Sequence, residues 1–329
     1  MFSVLGVAGG LALLLVLPGC PVTNPLPTQA QIEDLTLADG GGKYYLYVPS
    51  TYDRRRAYPL VIACHGTNPW DSAYSQIREW ALFAEQSGII VAAPVLTGTK
   101  GDFRPPAPEQ IRRQQADERT LLALVTAIKA ARNVAEEQVF MTGWSAGSFA
   151  ILHTGLNHPE LFRALAIRQG TFNPEFMTAS DERLDRWQPI FVYYGVMDPL
   201  RDESLKCIAW LRDHKLFVES REMLGGHKRE DVRVSWDFFR KVVRERPWVR
   251  PRFARTDLSN RGAVRFWCDS QPAYVGIRWD FGDGQTSDEP APQHEYAAPG
   301  RYDAACTVRL KSGKSYRRPL AVQIGPPGG

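Results

Sequence analysis

Short apolar runs alternate with helix-length segments from residue 36 to residue 246, and this rhythm constrains the fold most strongly. Strand-like runs occupy residues 43–48, 60–64, 89–93, 139–142, 165–167, 190–194 and 217–223. Helix-like segments occupy residues 115–132, 146–156, 205–214 and 232–243. Strands that alternate with helices favour a mostly parallel sheet covered on both faces, with right-handed crossovers. We therefore predict an α/β three-layer domain over residues 36–246.

The rhythm stops at a proline-rich stretch around residues 247–251. Beyond it, residues 250–325 contain only short alternating runs and turn-rich segments, which indicate a small all-β sandwich. The length of 329 residues fits two domains. A hydrophobic content of 44% excludes a mainly disordered chain.

The charges are nearly balanced, with 40 basic and 36 acidic side chains. Residues 250–329 hold 12 basic and 8 acidic side chains, whereas residues 20–249 hold 28 of each. Such a small excess gives no reason to expect nucleic acid as a partner. A weakly basic C-terminal module fits docking to an acidic cell wall or polymer, and it fits ordinary solvation equally well.

The most informative motif is Gly-Trp-Ser-Ala-Gly at residues 143–147. It follows an apolar strand and precedes a helical segment, which is the context that a nucleophile elbow requires. Ser145 would sit on a strained turn above the sheet, while Gly143 and Gly147 would let strand and helix approach closely. We predict that Ser145 is a catalytic nucleophile.

A serine nucleophile needs a base and an orienting acid, which in this type of fold follow the serine in the order acid, then histidine. Of the six histidines, His227 alone follows a late strand in a glycine-containing loop. Asp198 follows the apolar strand 190–194 and a glycine, and Asp202 is the alternative acid. An aspartate before a proline is also a common helix cap, so that role stays open for Asp198.

When a serine attacks a carbonyl group, the carbonyl oxygen becomes negatively charged, and two backbone N–H donors must stabilise this oxyanion. We expect one from Ala146, the residue after the nucleophile, and one from the loop that follows strand 60–64. In that loop, Thr67 is the preferred donor and Gly66 the alternative. His65 is expected to orient the loop rather than to act as a base.

The region from about residue 59 to residue 240 resembles the α/β-hydrolase superfamily. The matching segments are PLVIACHGT, VFMTGWSAG, HPELFRALAIRQG, YYGVMDP and GGH. The likeness is greatest to secreted serine esterases of the polyhydroxybutyrate depolymerase and feruloyl or acetylxylan esterase type. Ser148 departs from the pattern, since many relatives carry a third glycine there. The resemblance implies ester hydrolysis but does not fix the substrate.

Residues 250–325 resemble a PKD-type domain, an immunoglobulin-like β-sandwich. The resemblance rests on WDFGDG at residues 279–284, on His294 and Tyr296, and on a Pro-Gly pair before Tyr302. Such modules act as spacers or bind polymers or partners. The Asp-Gly pair within WDFGDG is interpreted as a hairpin turn, with a metal site as the less favoured alternative.

Five cysteines are present. Cys268 and Cys306 fall at inward-facing positions of two alternating runs, so a disulfide across the sandwich core is possible on this pattern. Cys64 and Cys207 are expected to be buried, unpaired thiols.

The N-terminus resembles a bacterial lipoprotein signal. Residues 1–19 carry no charge and are mostly apolar, and Leu-Pro-Gly precedes Cys20. We predict a signal peptide at residues 1–19, lipidation of Cys20, a tether at residues 20–35, and membrane attachment only through that lipid. The alternatives are a plain cleaved signal peptide and a retained anchor.

Aromatic and basic side chains in three segments are candidates for substrate binding. These segments, residues 68–80, 97–117 and 172–187, are expected to be loops at the carboxyl edge of the sheet, where ligands bind in such folds. The candidates are Trp70, Phe103, Arg104 and Trp187. Packing of the aromatic rings against the loops and solvation of the charge are the alternatives.

Together, these features predict an exported serine carboxylic-ester hydrolase that acts through an acyl-enzyme on polymer-linked or small esters. No zinc-type spacing, phosphate-binding loop or dinucleotide motif is present, so we expect no metal or organic cofactor. The alternatives are a serine peptidase of the same fold and a non-catalytic surface-binding lipoprotein.

Overall fold

The computed structural model describes residues 32–101, 105–179, 184–229, 231–256 and 262–325. The predicted signal peptide, Cys20, Phe103 and Arg104 lie outside these residues. Among the residues described, no helix is long and apolar enough to cross a membrane.

An eight-stranded sheet forms the first domain. Its strands are β1 Ile32–Thr36, β2 Lys43–Tyr47, β3 Tyr58–Cys64, β4 Ile90–Pro94, β5 Val134–Trp144, β6 Ala164–Arg168, β7 Pro189–Gly195 and β8 Phe217–Met223. The spatial order is β1-β2-β4-β3-β5-β6-β7-β8. From β4 to β8 all neighbours pair in parallel, while β1 and β2 pair antiparallel at one edge. The predicted mostly parallel sheet is confirmed.

Helices cover both faces of this sheet and create two cores. They are α1 Ala73–Ser87, α2 Ala107–Ala131, α3 Ser148–Ala150, α4 Arg201–Asp213 and α5 Arg233–Glu245. α2, α3 and α4 pack on one face, and α1 and α5 pack on the other. The central strands are buried on both faces, which explains why their sequences are continuously apolar.

Two predicted segments differ from the structure. β1 begins at Ile32, inside the segment predicted as a tether up to residue 35, because its apolar side chains Ile32 and Leu35 pack against the two cores while its backbone pairs with β2. The segment 68–80, predicted as a loop, contains the start of α1. Ser72 caps this helix by accepting from the Ser75 N–H at 3.1 Å.

The second domain is an antiparallel β-sandwich. One sheet has the order β13-β10-β9 and the other β12-β11-β14-β15. The strands are β9 Trp248–Arg255, β10 Ala263–Gln271, β11 Tyr274–Asp280, β12 Thr286–Ser287, β13 Gln293–Glu295, β14 Gly300–Leu310 and β15 Ser315–Ile324. Its core is separate from those of the first domain and centres on the fully buried Trp279 and Phe266. Only Arg246 and Pro247 separate α5 from β9.

The expected disulfide in this core is not present. Cys268 on β10 and Cys306 on β14 are buried and free. A hydrogen bond that the Cys306 thiol donates to Cys268, together with burial, raises the pKa of Cys306. The two side chains therefore do meet across the sandwich, as thiols. Cys64 and Cys207 are also buried and free, as expected.

The Asp-Gly hairpin region of the sandwich uses its carboxylates internally. Asp280 accepts from the Gly282 N–H at 3.0 Å, and Asp283 accepts from the Gln285 N–H at 3.0 Å. Asp283 also lies 2.7 Å from His294 Nε2. Within the described ranges, no group of three or more His, Cys, Asp or Glu side chains is arranged to hold a metal ion.

Candidate active site

The strand β5 ends at Trp144, and Ser145 directly after it adopts a left-handed backbone conformation with φ of 53°. Non-glycine residues rarely adopt this conformation, and it turns the chain sharply into the following helical segment. That segment continues as the 3-10 turn Ser145–Gly147, α3, and a π turn at Ile151–Gly155. The predicted strand–turn–helix context is therefore present.

Two glycines make this turn possible. A Cβ atom on Gly143 would lie 2.5 Å from the Gly147 carbonyl oxygen, and one on Gly147 would lie 2.6 Å from the Cys64 carbonyl oxygen. Both distances are shorter than real Cβ atoms allow, and both clashes are with backbone that cannot swing away. Any side chain at either position would force β5, β3 and the helical segment apart.

Ser145, His227 and Asp198 form a continuous chain of contacts at the carboxyl edge of the sheet. Ser145 Oγ lies 3.0 Å from His227 Nε2, and His227 Nδ1 lies 3.1 Å from both carboxylate oxygens of Asp198. The Asp198 side chain is fully buried, whereas 22% of the His227 side chain is exposed. Nδ1–H can thus donate to Asp198 while Nε2 accepts from the Ser145 hydroxyl.

Asp198 also accepts a hydrogen bond from the Leu200 N–H at 2.8 Å. It therefore stabilises the turn before α4 as well as facing His227. The alternative acid, Asp202, is exposed in the first turn of α4. Of the two candidates, only Asp198 contacts the histidine.

Gln169 holds the His227 loop from both sides, although no sequence motif marked it as a functional residue. Its Nε2 donates to the Gly226 carbonyl at 3.1 Å, and its Oε1 accepts from the Lys228 N–H at 2.8 Å. Gln169 is fully buried directly after β6 and has a positive φ of 50°. A polar residue placed between a buried strand and Gly170 was the available signal.

Trp144 packs beside the catalytic candidates. Its indole stacks on the His227 imidazole with ring centroids 4.9 Å apart, and the Arg229 guanidinium lies 5.9 Å from the centre of the indole. A Cβ atom on Gly66 would lie 2.6 Å from this indole. Trp144 therefore fills the space between the loop after β3 and the histidine.

Asp71 fixes the loop after β3. Its buried carboxylate accepts from the Gly66 N–H at 2.7 Å, from Gln76 Nε2 at 2.7 Å and from Arg229 Nη1 at 3.0 Å. Because the Gly66 N–H is committed to Asp71, Gly66 is the wrong alternative for an oxyanion donor. Among the described residues, no hydrogen bond engages the Thr67 N–H.

His65 braces the same loop. Leu96 N–H donates to its Nε2 at 3.0 Å, and its Nδ1 lies 2.8 Å from the Gly66 carbonyl oxygen. These partners assign the proton of a neutral ring to Nδ1. Burial lowers the pKa of His65, which favours that neutral form. Among the hydrogen bonds of the described residues, none joins His65 to Ser145.

The predicted substrate loops are only partly at this edge. Trp70 follows β3, is 64% exposed and lies beside Gly101. The segment 97–117 was expected to be a loop, but from Ala107 it is α2, and Asp117 on that helix accepts from the Thr97 and Gly98 N–H groups at 2.6 and 2.7 Å.

Trp187 does not belong to this site. It lies two residues before β7 begins, at the amino edge of the sheet, and lines a groove against the sandwich. Phe172 follows the carboxyl end of β6, whereas Trp187 precedes the amino end of β7, so the two ends of the predicted loop lie at opposite edges of the sheet. Its first part stays near the elbow, where Phe176 packs edge-on against Phe149.

The doubly covered parallel sheet with a serine at its elbow defines an α/β hydrolase. Residues 40–254 match a family model described as "Putative esterase", and residues 262–324 match the PKD domain model. The first match covers more than half of the chain. The chain therefore belongs to this esterase family, and it carries a PKD domain after the esterase domain.

Solved structures with the same fold include a CE1 ferulic acid esterase from the anaerobic fungus Anaeromyces mucronatus. Without substrate, that enzyme matches with a TM-score of 0.51 and 15% identity over 67% of this chain and 94% of its own. Its complex with ferulic acid matches with a TM-score of 0.50 and 14% identity, with the same coverage.

One curated relative is a peptidase. Dipeptidyl-peptidase 5 of Porphyromonas gingivalis is 29% identical over 151 residues, which is 44% of this chain and 22% of the relative. The chain thus spans about a fifth of that protein's length.

Proposed function

We propose that this protein is a serine carboxylic-ester hydrolase in which Ser145 is the nucleophile, His227 the general base and Asp198 the orienting acid. The chain of contacts at 3.0 and 3.1 Å from Ser145 through His227 to Asp198 carries the proposal. Membership of the esterase family supports the same reaction.

In the first half of the reaction, Ser145 Oγ attacks the ester carbonyl while His227 Nε2 takes its proton. The imidazolium formed in this step is stabilised by the buried Asp198 carboxylate. His227 then gives the proton to the leaving alcohol, and an acyl-enzyme remains. Water, activated by His227, attacks the acyl-enzyme and releases the acid.

The tetrahedral oxyanion needs two donors on the side of the elbow away from His227. The Ala146 N–H, at the start of the helical segment, is the first. The Thr67 N–H is the second, and its loop is fixed by Asp71 and His65. Each such donor contributes roughly 3–4 kcal/mol to transition-state stabilisation.

The acyl group is proposed to be aromatic or short, linked to a polysaccharide, a polyester or a small alcohol. The exposed indole of Trp70 in the loop after β3 supports an aromatic acid. The ferulic acid bound to the fungal enzyme of the same fold points to the same class. A panel of feruloyl, acetyl and hydroxybutyrate esters tests this directly.

The central experiment compares the purified protein with its Ser145→Ala variant on short p-nitrophenyl esters. We expect turnover by the protein and a loss of at least roughly 10³-fold in the variant. A fluorophosphonate should label the protein at Ser145 and leave the variant unlabelled. Equal turnover by both would overturn the mechanism. A protein that binds polymer but hydrolyses no ester would instead be a surface-binding lipoprotein.

A peptidase is the second candidate, since the matched relative is a dipeptidyl peptidase. Aminoacyl and dipeptidyl p-nitroanilides distinguish the two activities. Faster turnover of a dipeptidyl anilide than of any ester, with dependence on Ser145, would favour the peptidase.

We further propose that the protein is exported, with Cys20 lipidated, and that the PKD domain docks it to a cell wall or polymer. Expression with a labelled fatty acid should label the protein and not its Cys20→Ser variant. Labelling of neither would favour a plain secretion signal.

A further inference from the structure

Two depressions separate the α/β domain from the sandwich. Their volumes are about 480 Å³ and about 890 Å³. Both are lined by Asp185, Trp187, Arg250 and Arg318, so they adjoin one another. We call the two together the interdomain groove.

The interdomain groove is remote from the candidate active site. Trp187 and Phe217 lie at the amino ends of β7 and β8, whereas Ser145 and Asp198 follow the carboxyl ends of β5 and β7. A strand of seven residues is roughly 23 Å long, which is the scale of this separation. A ligand in the groove would therefore not contact the reacting atoms.

Basic side chains dominate the larger part of the groove. Its acidic lining residues are Glu160, Asp185 and Asp303. Its basic lining residues are Arg186, Arg250, Arg252, Arg301, Arg317 and Arg318. Several of these arginines are partly neutralised, since Arg252 pairs with Asp269 at 2.7 Å and Arg317 with Asp280 at 3.5 Å.

Arg250 is a half-buried arginine of the groove that forms no direct ion pair among the described residues. Among the ion pairs and hydrogen bonds of the described residues, none involves its guanidinium, which faces the Trp248 ring at 5.9 Å. Burial lowers the pKa of Arg250 to about 10. Asp185 and Glu160 act in the opposite direction, while Arg318 and Arg252 add to the lowering. An anion bound beside Arg250 would offset the free energy that burial of its charged guanidinium costs.

Arg318 and Trp187 stand next to Arg250. Arg318 reaches across from β15 to Asp185 of the α/β domain, and its buried Nε has no hydrogen-bond partner within the described part of the chain. Its guanidinium lies 5.6 Å from the centre of the Trp187 ring. Trp187 is 45% exposed, so an apolar ring face is available next to two guanidinium groups.

We propose that the interdomain groove binds a stretch of acidic polysaccharide, with uronate carboxylates at Arg250 and Arg318 and a sugar ring against Trp187. The planar guanidinium matches a carboxylate with two parallel hydrogen bonds. The groove would hold the polymer on both domains at once while the candidate active site acts on another part of it.

A polysaccharide suits this surface better than a single-stranded nucleic acid. Nucleic acids carry one charge per nucleotide and are held by long basic tracks with several stacking rings. Here much of the basic charge is already offset by protein carboxylates, and Trp187 is the exposed tryptophan of the groove.

The experiment measures binding of polygalacturonate oligomers to the full chain carrying Ser145→Ala, by calorimetry and affinity electrophoresis. In that background, Arg250→Gln and Trp187→Ala are each expected to raise the Kd at least about tenfold. Arg265→Gln is the matched control, because Arg265 is exposed on β10 and does not line the groove. Neutral dextran is expected not to bind.

The proposal is overturned if polygalacturonate does not bind, if both groove variants bind like the control, or if dextran binds equally well. Tighter binding of oligothymidylate through the same two residues would make the ligand a phosphate polymer instead. Thermal unfolding of each variant excludes a folding defect, and Trp187→Ala alters only a half-exposed side chain. Hydrolysis of short esters is measured in a separate assay. A protein that hydrolyses no ester would contradict the proposed esterase function but would leave the polygalacturonate-binding result unchanged.

Discussion

Replacing Gln169 by leucine should damage the candidate active site without touching any reacting group. The change keeps the size of the buried side chain but removes both bonds that hold the backbone on either side of His227. A typical intramolecular hydrogen bond contributes about 1 kcal/mol net. Since Gly226 and Lys228 keep some contact with solvent, water can take over, and we expect a loss of about 2 kcal/mol for the pair.

If all of this energy serves to order the His227 loop, kcat falls by up to about 30-fold, because each 1.36 kcal/mol is a factor of ten. KM for a short ester should change little, since Gln169 lies beneath the loop and not against the acyl group. The rate of fluorophosphonate labelling should fall in parallel with kcat, because both depend on activation of Ser145 by His227.

Gln188→Leu is the matched control. Gln188 is equally buried, and its Nε2 donates to the carbonyl groups of Gly155 and Phe162 at 3.2 and 2.8 Å, at the opposite edge of the sheet. Both variants should lose a similar free energy of unfolding, but Gln188→Leu should keep kcat within about twofold. The positioning role of Gln169 is refuted if the two variants have the same kcat.

Three further outcomes are expected. Asp71→Ala should lower kcat by roughly 10–100-fold in steady-state assays. The change removes the acceptor of the Gly66 N–H and so frees the loop that carries one proposed oxyanion donor. An unchanged kcat would contradict this expectation. Burial lowers the pKa of His65, so the unfolded chain binds that proton more readily and stability falls as the pH drops below about 6.5. Denaturant titrations of His65→Gln should show a shallower pH dependence, and an unchanged slope would contradict the assignment. Trp70→Ala should reduce kcat/KM for a feruloyl ester, whereas Trp187→Ala should leave it unchanged, and the reverse order would relocate the acyl site.

The parts of the fold that the sequence predicted are those that a few neighbouring residues determine. The alternation of apolar runs gives the strands because central parallel strands are buried on both faces. The elbow at Ser145 could be recognised because its two glycines lie close together in the sequence. A side chain at either one would clash with backbone of the elbow itself or of the neighbouring strand β3. Asp198 and His227 followed from their positions after apolar strands.

The residues that were missed act across the chain. Gln169 holds a loop 57 to 59 residues away, and Arg229 meets Asp71 over a separation of 158 residues. No local pattern encodes such pairs. The helix α1 was also missed, but here local signals were available, because Ser72 and Gly88 mark its two ends in the sequence. Trp187 was misplaced because aromatic residues in a long loop do not indicate which edge of the sheet they reach.

The close approach of Gly66 to Trp144 has an evolutionary consequence. No β-carbon fits at position 66 while an indole occupies position 144, because the two would be 2.6 Å apart. The same indole is the stacking partner of His227. Positions 66 and 144 should therefore change together among homologous sequences, with a larger residue at 66 appearing only where 144 has become small, and each such exchange would reshape the surroundings of the histidine in one step.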